Sequence, residues 1–286
     1  MWITIALASA LLSAAATIFE KASIRRIGAL DFSLLISALL MAFSAATAFK
    51  VDMFGYGAGT LGILVFKSVI NAGAFLLVMM TLERGDISGA LPLLGLTPGL
   101  TAVLAFFAIG DAITAPEAAG LALMTGGVGL LEWKGSPASG GWRGQWTIWA
   151  ALALFAVSSV LDKVLLGARG TPPLAVMFWQ HLVFLAMYLG LSAARGRGPA
   201  AVLRGTPGRV YLYIAAATAL TLGYRYTQLS AVRLAPVALV LAVKRMSVFF
   251  AAVAGGRIFS ERRLVARGSA AAVIIAAGFL ILRNAG

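Results

Sequence analysis

The chain has no cysteine and a single histidine, His181, among 286 residues. Without thiols it can form no disulfide, thiolate metal site or cysteine nucleophile, and one imidazole with few carboxylates makes no metal cluster. No metal and no cofactor are therefore expected. Charge is scarce as well: 12% of residues are charged and 61% are hydrophobic, with a mean hydropathy of +0.95. Soluble domains are about 25% charged and about 45–50% apolar, so the balance excludes a cytosolic enzyme and points to lipid as the solvent. No Walker or Rossmann glycine motif leads into a soluble helix, and the chain is read as no enzyme.

Acid is scarcer than base. There are 23 Lys and Arg against 10 Asp and Glu, a net charge of +13. In a soluble protein that excess would suggest nucleic acid. Here most cations flank apolar runs, where they set membrane orientation, and nucleic acid is not an expected partner. The first run starts at Met1-Trp2 without a basic leader and is followed by further runs, so no cleaved signal peptide is expected.

What the chain does have is hydrophobic length. Runs near 2–23, 31–49, 59–82, 87–109, 116–133, 145–167, 173–194, 209–231, 234–256 and 262–283 each suit a helix of about 20 residues crossing a bilayer. The expected fold is an all-α integral membrane protein with ten transmembrane helices. A Gly- and Ser-rich stretch, 134–144, divides it into a first five-helix unit, 1–133, and a second, 145–286. The halves echo each other: Glu20-Lys21 near the end of the first run recurs as Asp162-Lys163 near the end of the sixth. The break Gly110-Asp111…Thr114 after the fourth resembles Gly256-Arg257…Ser260 after the ninth. An odd number of helices per half inverts the second copy, the inverted-repeat architecture of transporters. Loops after odd-numbered runs hold Arg25, Arg26, Arg84, Lys134, Arg143, Arg195, Arg197, Arg204, Arg209, Arg257, Arg262, Arg263 and Arg267, while the other side holds Lys50, Arg169, Arg233 and Arg283. The positive-inside rule alone places both termini outside.

The charges within the runs are the candidate site. Each costs about 2.5–3.5 kcal/mol at the centre of a span, so each needs a partner, a wet cavity or a path to the interface. Ser13, Thr17, Glu20 and Lys21 share one face of the first helix. Lys67 and Asn71 pair at i, i+4 in the third. Thr218, Thr221, Arg225 and Gln228 form a stripe in the eighth, and Lys244 and Ser247 lie at i, i+3 in the ninth. These stripes are expected to face one shared cavity. Lys244 and Arg245, adjacent like charges at depth, make most sense with an anionic counter-group. Arg225 between Tyr224 and Tyr226 would extend the field with Lys67, or form a structural pair with Glu20 or Asp162. Glu20, Lys21, Lys67, Asp162 and Lys163 could also snorkel to the interface. His181, after Trp179-Gln180, reads as a core or interhelical hydrogen bond, with a proton relay or a solute contact as the alternative. Pro92 and Pro98 should bend the fourth span. Gly126, Gly127 and Gly129, with Gly268 and Gly278, should permit close packing. Trp133, Trp142, Trp146, Tyr211 and Tyr213 form an interfacial belt.

The repeat, the paired turns and the ninth run, Leu239 to Phe250, resemble the ten-helix EamA-type branch of the drug/metabolite transporter superfamily over essentially the whole chain. Membership would imply a multi-pass protein of the bacterial inner membrane with both termini in the cytoplasm, opposite to the charge count. The Lys244-Arg245 pair is similar to a Lys-Arg pair that grips phosphate in the sugar-phosphate translocators of that superfamily, which implies Lys244 and Arg245 as anion ligands. The leading expectation is a secondary transporter of a small organic anion, a phosphorylated or carboxylated metabolite or an amino acid, working by alternating access. Lys244, Arg245, Arg225, Tyr224, Lys67, Asn71, Gln180 and His181 would bind the solute, and Glu20, Lys21, Asp162 and Lys163 would couple or gate. The alternatives are proton-coupled export of hydrophobic cations on Glu20, and a membrane accessory protein binding lipid headgroups through its Arg195–Arg209 and Arg257–Arg267 loops. Partners are thus a solute and membrane lipids, with the chain as monomer or homodimer.

Overall fold

The structure, a computed structural model, describes residues 1–84, 92–134 and 146–258, without the side chains of 84, 92, 124, 127–134 and 248–258. The predicted tenth span, most of the 134–144 linker, the Ser260 turn, the basic loop that follows it and Gly268 and Gly278 lie outside the described residues, as do the surroundings of Trp133, Trp142, Gly127 and Gly129. Among the described residues the fold is helical throughout. The long helices are α1 (Trp2–Ile27), α2 (Ala29–Ala46), α3 (Ala58–Arg84), α4 (Thr97–Ile109), α5 (Ala115–Lys134), α6 (Trp146–Leu166), α7 (Pro173–Ala194), α8 (Gly208–Leu234) and α9 (Val237–Ile258). A 3₁₀ turn, Pro92–Leu96, leads into α4, and a short helix, Pro199–Gly205, precedes α8.

Glycine and proline set the ends, as their backbone chemistry requires. Gly28, at φ 81°, turns α1 into α2 and donates its N–H to the Ile24 carbonyl. Gly110, left-handed at φ 64°, closes α4, a geometry that costs a residue with a Cβ about 1–2 kcal/mol. The expected bend of the fourth span takes the form of the 3₁₀ turn at Pro92, with Pro98 in the first turn of α4, where its missing N–H breaks no helical bond. Pro172, Pro207 and Pro236 sit immediately before α7, α8 and α9.

Five helices, α1, α2, α3, α6 and α7, are long and apolar enough to cross a membrane, the pattern of a multi-pass membrane protein. The outside is greasy: Leu11, Phe43, Phe66, Phe106, Phe107 and Leu212 are more than half exposed. The inside is polar: α8 buries Thr218, Thr221, Arg225 and Gln228. That inversion suits a chain whose outer solvent is hydrocarbon, because a polar stripe facing lipid would have no partners.

The two halves of the sequence do not form separate layers. α1 packs most extensively on α8 and α9 of the second half, while α6 packs on α3 and α4 of the first, and α2 packs on α7. Gly223 allows the close approach of α8 to α1, since a methyl there would lie 3.1 Å from Leu12 Cδ1. Among the described residues no atom lies within 4 Å of where a Cβ on Gly126 would be. Thr81 and Thr147 hydroxyls, 2.9 Å apart, join the end of α3 to the start of α6, and Lys67 meets Asp162 early in α3 and late in α6, so those helices run antiparallel.

Capping contacts recur between the halves. Lys21 on α1 donates to the Leu82 carbonyl, two residues before the end of α3. Lys163 on α6 donates to the Val232 carbonyl, two residues before the end of α8, at 3.0 Å, and to the Ala235 carbonyl at 2.8 Å. Each ammonium thus meets the carbonyls left unbonded at a helix C-terminus, where the macrodipole is negative.

Candidate functional site

The expected single cavity resolves into two separate groups of charged residues. The first surrounds a cavity of about 90 Å³, enough for several waters or a compact polar group. Its polar wall comes from Ser13, Thr17 and Glu20 on α1, Tyr224 on α8, and Lys244, Arg245 and Ser247 on α9. The helical spacing that put Ser13, Thr17 and Glu20 on one face, and Lys244 with Ser247 on another, aims both faces at the same space. The apolar wall, including Phe75, Met79, Leu94 and Phe155, gave no sequence signal, because a cavity-lining Phe looks like any core Phe.

Within this cavity opposite charges stand apart. Among the described residues no carboxylate oxygen lies within 4.0 Å of Lys244 Nζ, and Glu20 makes no ion pair. Lys244 Nζ sits 4.6 Å above the Tyr224 ring, whose negative face partly offsets the charge. Arg245 donates from Nη2 to the Thr97 hydroxyl at 3.1 Å, and its buried Nε, like that of Arg225, has no hydrogen-bond partner among the described residues. Thr97 opens α4 directly after the 3₁₀ turn, so the bend supplies the hydroxyl that orients Arg245.

The second group is a closed network. Lys67 on α3 meets Asp162 Oδ1 on α6 at 2.7 Å and donates to Gln180 Oε1 on α7 at 2.6 Å. Arg225 on α8 donates to the same Gln180 oxygen at 2.7 Å and lies 3.4 Å from Asp162 Oδ2. Lys67 is 0% exposed and Asp162 2%, so the snorkelling alternative fails for both. Glu20 and Lys21 are buried too, at 5% and 2%. Arg225 therefore takes its structural pairing with Asp162 rather than Glu20.

The other predicted ligands also lie outside the cavity walls. Asn71 donates to the Ser158 hydroxyl at 2.8 Å. His181 shares a 2.7 Å hydrogen bond between Nδ1 and the Ser44 hydroxyl, the interhelical role. Lys21 and Lys163 are helix caps, a use that an acid-Lys pair near a span end does not reveal until the neighbouring helix is known. Sequence reasoning missed Thr97 for the same reason.

At the end of the molecule where α2 meets α3, the 47–57 segment folds onto α7. Asp52 Oδ1 accepts the Phe54 and Gly55 N–H groups at 2.9 Å each, and these bonds hold its carboxyl below the usual carboxylate range. Trp179 donates from Nε1 to the Met53 carbonyl at 2.8 Å, and Phe54 packs edge-on against Phe178 and Trp179.

No family model and no curated protein matches the chain. A solved structure described only as the crystal structure of a protein superposes over 98% of this chain and 98% of its own, with a TM-score of 0.76 at 14% identity. The fold has thus been seen in a crystal. At that identity the likeness is one of fold alone.

Proposed function

We propose that the chain is a secondary transporter that moves a small organic anion through the cavity bearing Lys244 and Arg245. In this reading it belongs to the EamA-type branch of the drug/metabolite transporter superfamily, in a bacterial inner membrane, with ten spans in two inverted five-helix repeats working by alternating access. The exchanged packing supports the repeat: α1 lies on the third and fourth helices of the other half, and α6 does the same in return. The matched caps of α3 and α8 by Lys21 and Lys163 support it at the level of residues.

One observation carries the solute class. Lys244 and Arg245 line a cavity inside an apolar bundle, and among the described residues no carboxylate is paired to the ammonium. Unpaired cations at depth are costly and mark solute or ion pathways. Phosphate and carboxylate groups supply the missing charge and accept hydrogen bonds from both side chains. Glu20 on the same cavity favours a second form of the reading, a zwitterion whose anionic end meets Lys244 and Arg245 and whose ammonium meets Glu20. Export of a simple hydrophobic cation fits less well, since the cavity holds two bases against one acid.

The test is flux in proteoliposomes, with phosphorylated metabolites, carboxylates, amino acids and hydrophobic cations offered to the wild type and to Lys244→Ala/Arg245→Ala. Anion or zwitterion flux confined to the wild type supports the reading. Flux of the same solutes through both proteins removes it.

A further inference from the structure

The closed network and the cavity occupy different levels of the bundle. With about 1.5 Å of rise per helical residue, Lys67, Asp162, Gln180 and Arg225 lie about 6–14 Å from the helix ends beside the 47–57 segment and the Ala235-Pro236 link. The cavity starts at a similar depth, at Tyr224 and Lys244, and runs the other way to Met79 and Leu82, in the last turns of α3. Tyr224 faces the cavity, and its chain neighbour Arg225 faces the network. The network therefore stands beside the inner end of the cavity, on the far side from Leu82.

We propose that the Lys67–Asp162–Gln180–Arg225 network is the closed gate of the pathway at the end covered by the 47–57 segment, so that the cavity communicates with the opposite, Arg25-Arg26 end. The assignment rests on the transport reading. Three of the four residues, Asp162, Gln180 and Arg225, come from the second half of the chain, and Lys67 alone comes from the first. Separating α3 from α6 and α7 at this end must pull Lys67 away from Asp162 and Gln180. Asp162 would not be stranded, because Arg225 is already 3.4 Å from its second oxygen. A carboxylate shared between two cations can release one and keep the other, which suits a latch better than a single ion pair, whose rupture leaves two bare charges. The residues next to the latch tie down the same end. Trp179, beside Gln180, holds the Met53 carbonyl, and Lys163, beside Asp162, holds the Val232 and Ala235 carbonyls.

The chain has no cysteine, so single introduced thiols report access without background. Leu64 is fully buried, one turn from Lys67 on the gated side, and Ser13 lines the cavity. Leu64→Cys and Ser13→Cys would each be treated in oriented vesicles with a membrane-impermeant maleimide. With the network intact, the thiol at 64 should react slowly and the thiol at 13 readily from the Arg25-Arg26 side. Asp162→Asn or Lys67→Gln should raise labelling at 64 at least tenfold and lower it at 13. General loosening would raise both, which overturns the proposal, as does an unchanged rate at 64 in either variant. Labelling needs no solute, so the same opposed changes in a Lys244→Ala/Arg245→Ala background would uphold the gate even if the anion reading fails.

Discussion

The cavity and the latch solve the same problem, charge inside a membrane bundle, in opposite ways. In the latch each charged group has a partner within hydrogen-bonding or ion-pairing reach: Lys67 has Asp162 and Gln180, and Arg225 has Gln180 and Asp162. In the cavity Lys244 lies over the face of Tyr224 and interacts with Glu20 only across the space, and among the described residues neither Lys244 nor Glu20 forms an ion pair. Satisfied charge specifies structure, while unsatisfied charge beside open space awaits a ligand. The difference should appear in opposite responses to mutation.

The largest expected effect is on solute binding. Losing both cavity cations in Lys244→Ala/Arg245→Ala should weaken binding by about 2–5 kcal/mol, roughly 30- to 4,000-fold, read as the loss of solute-induced thermal stabilisation. Of similar size is the effect on the latch. Asp162→Asn leaves Lys67 and Arg225 without a carboxylate and should destabilise the solute-free protein by about 3–5 kcal/mol, whereas Lys244→Met removes a half-buried cation that has no ion pair among the described residues and should leave its melting temperature unchanged or higher. Equal losses in the two variants would erase the distinction between the clusters.

Glu20→Gln sharpens the comparison within the cavity. It should shift preference from zwitterions toward plain anions by about tenfold, or 1.4 kcal/mol, in competition binding. Smaller again are the caps: Lys21→Met and Lys163→Met should each lower stability by about 0.3–2 kcal/mol without changing solute preference. The smallest effect concerns the 47–57 segment. Because the folded state holds the Asp52 carboxyl below its ordinary range, its contribution is present above the unfolded value and fades as pH falls through the folded one. Proteolytic nicking of this segment should therefore rise in acid, and Asp52→Asn should show the raised rate at neutral pH.

Much of this is legible in the sequence. Helical spacing placed Ser13, Thr17 and Glu20 together, and Lys244 with Ser247, and those faces do line the cavity. The Glu20-Lys21 and Asp162-Lys163 echo pointed to positions that the structure puts on the first helix of each half. Pairing was not legible, because an i, i+4 pattern fixes which residues share a face and not which helix that face meets. Lys67 and Arg225 read as cavity cations until α6 and α7 supplied Asp162 and Gln180. Lys21 and Lys163 read as coupling residues until the ends of α3 and α8 lay beneath them. Thr97, an ordinary residue after a proline bend, gained its contact only when α9 crossed α4.

The central claim is that the unpaired cations of the cavity form the solute site, and the most direct measurement is the melting temperature of wild type and Lys244→Ala/Arg245→Ala across matched anions, zwitterions and cations. The account predicts that anions or zwitterions stabilise the wild type and leave the variant unmoved. Stabilisation by cations alone, alike in both proteins, would contradict it.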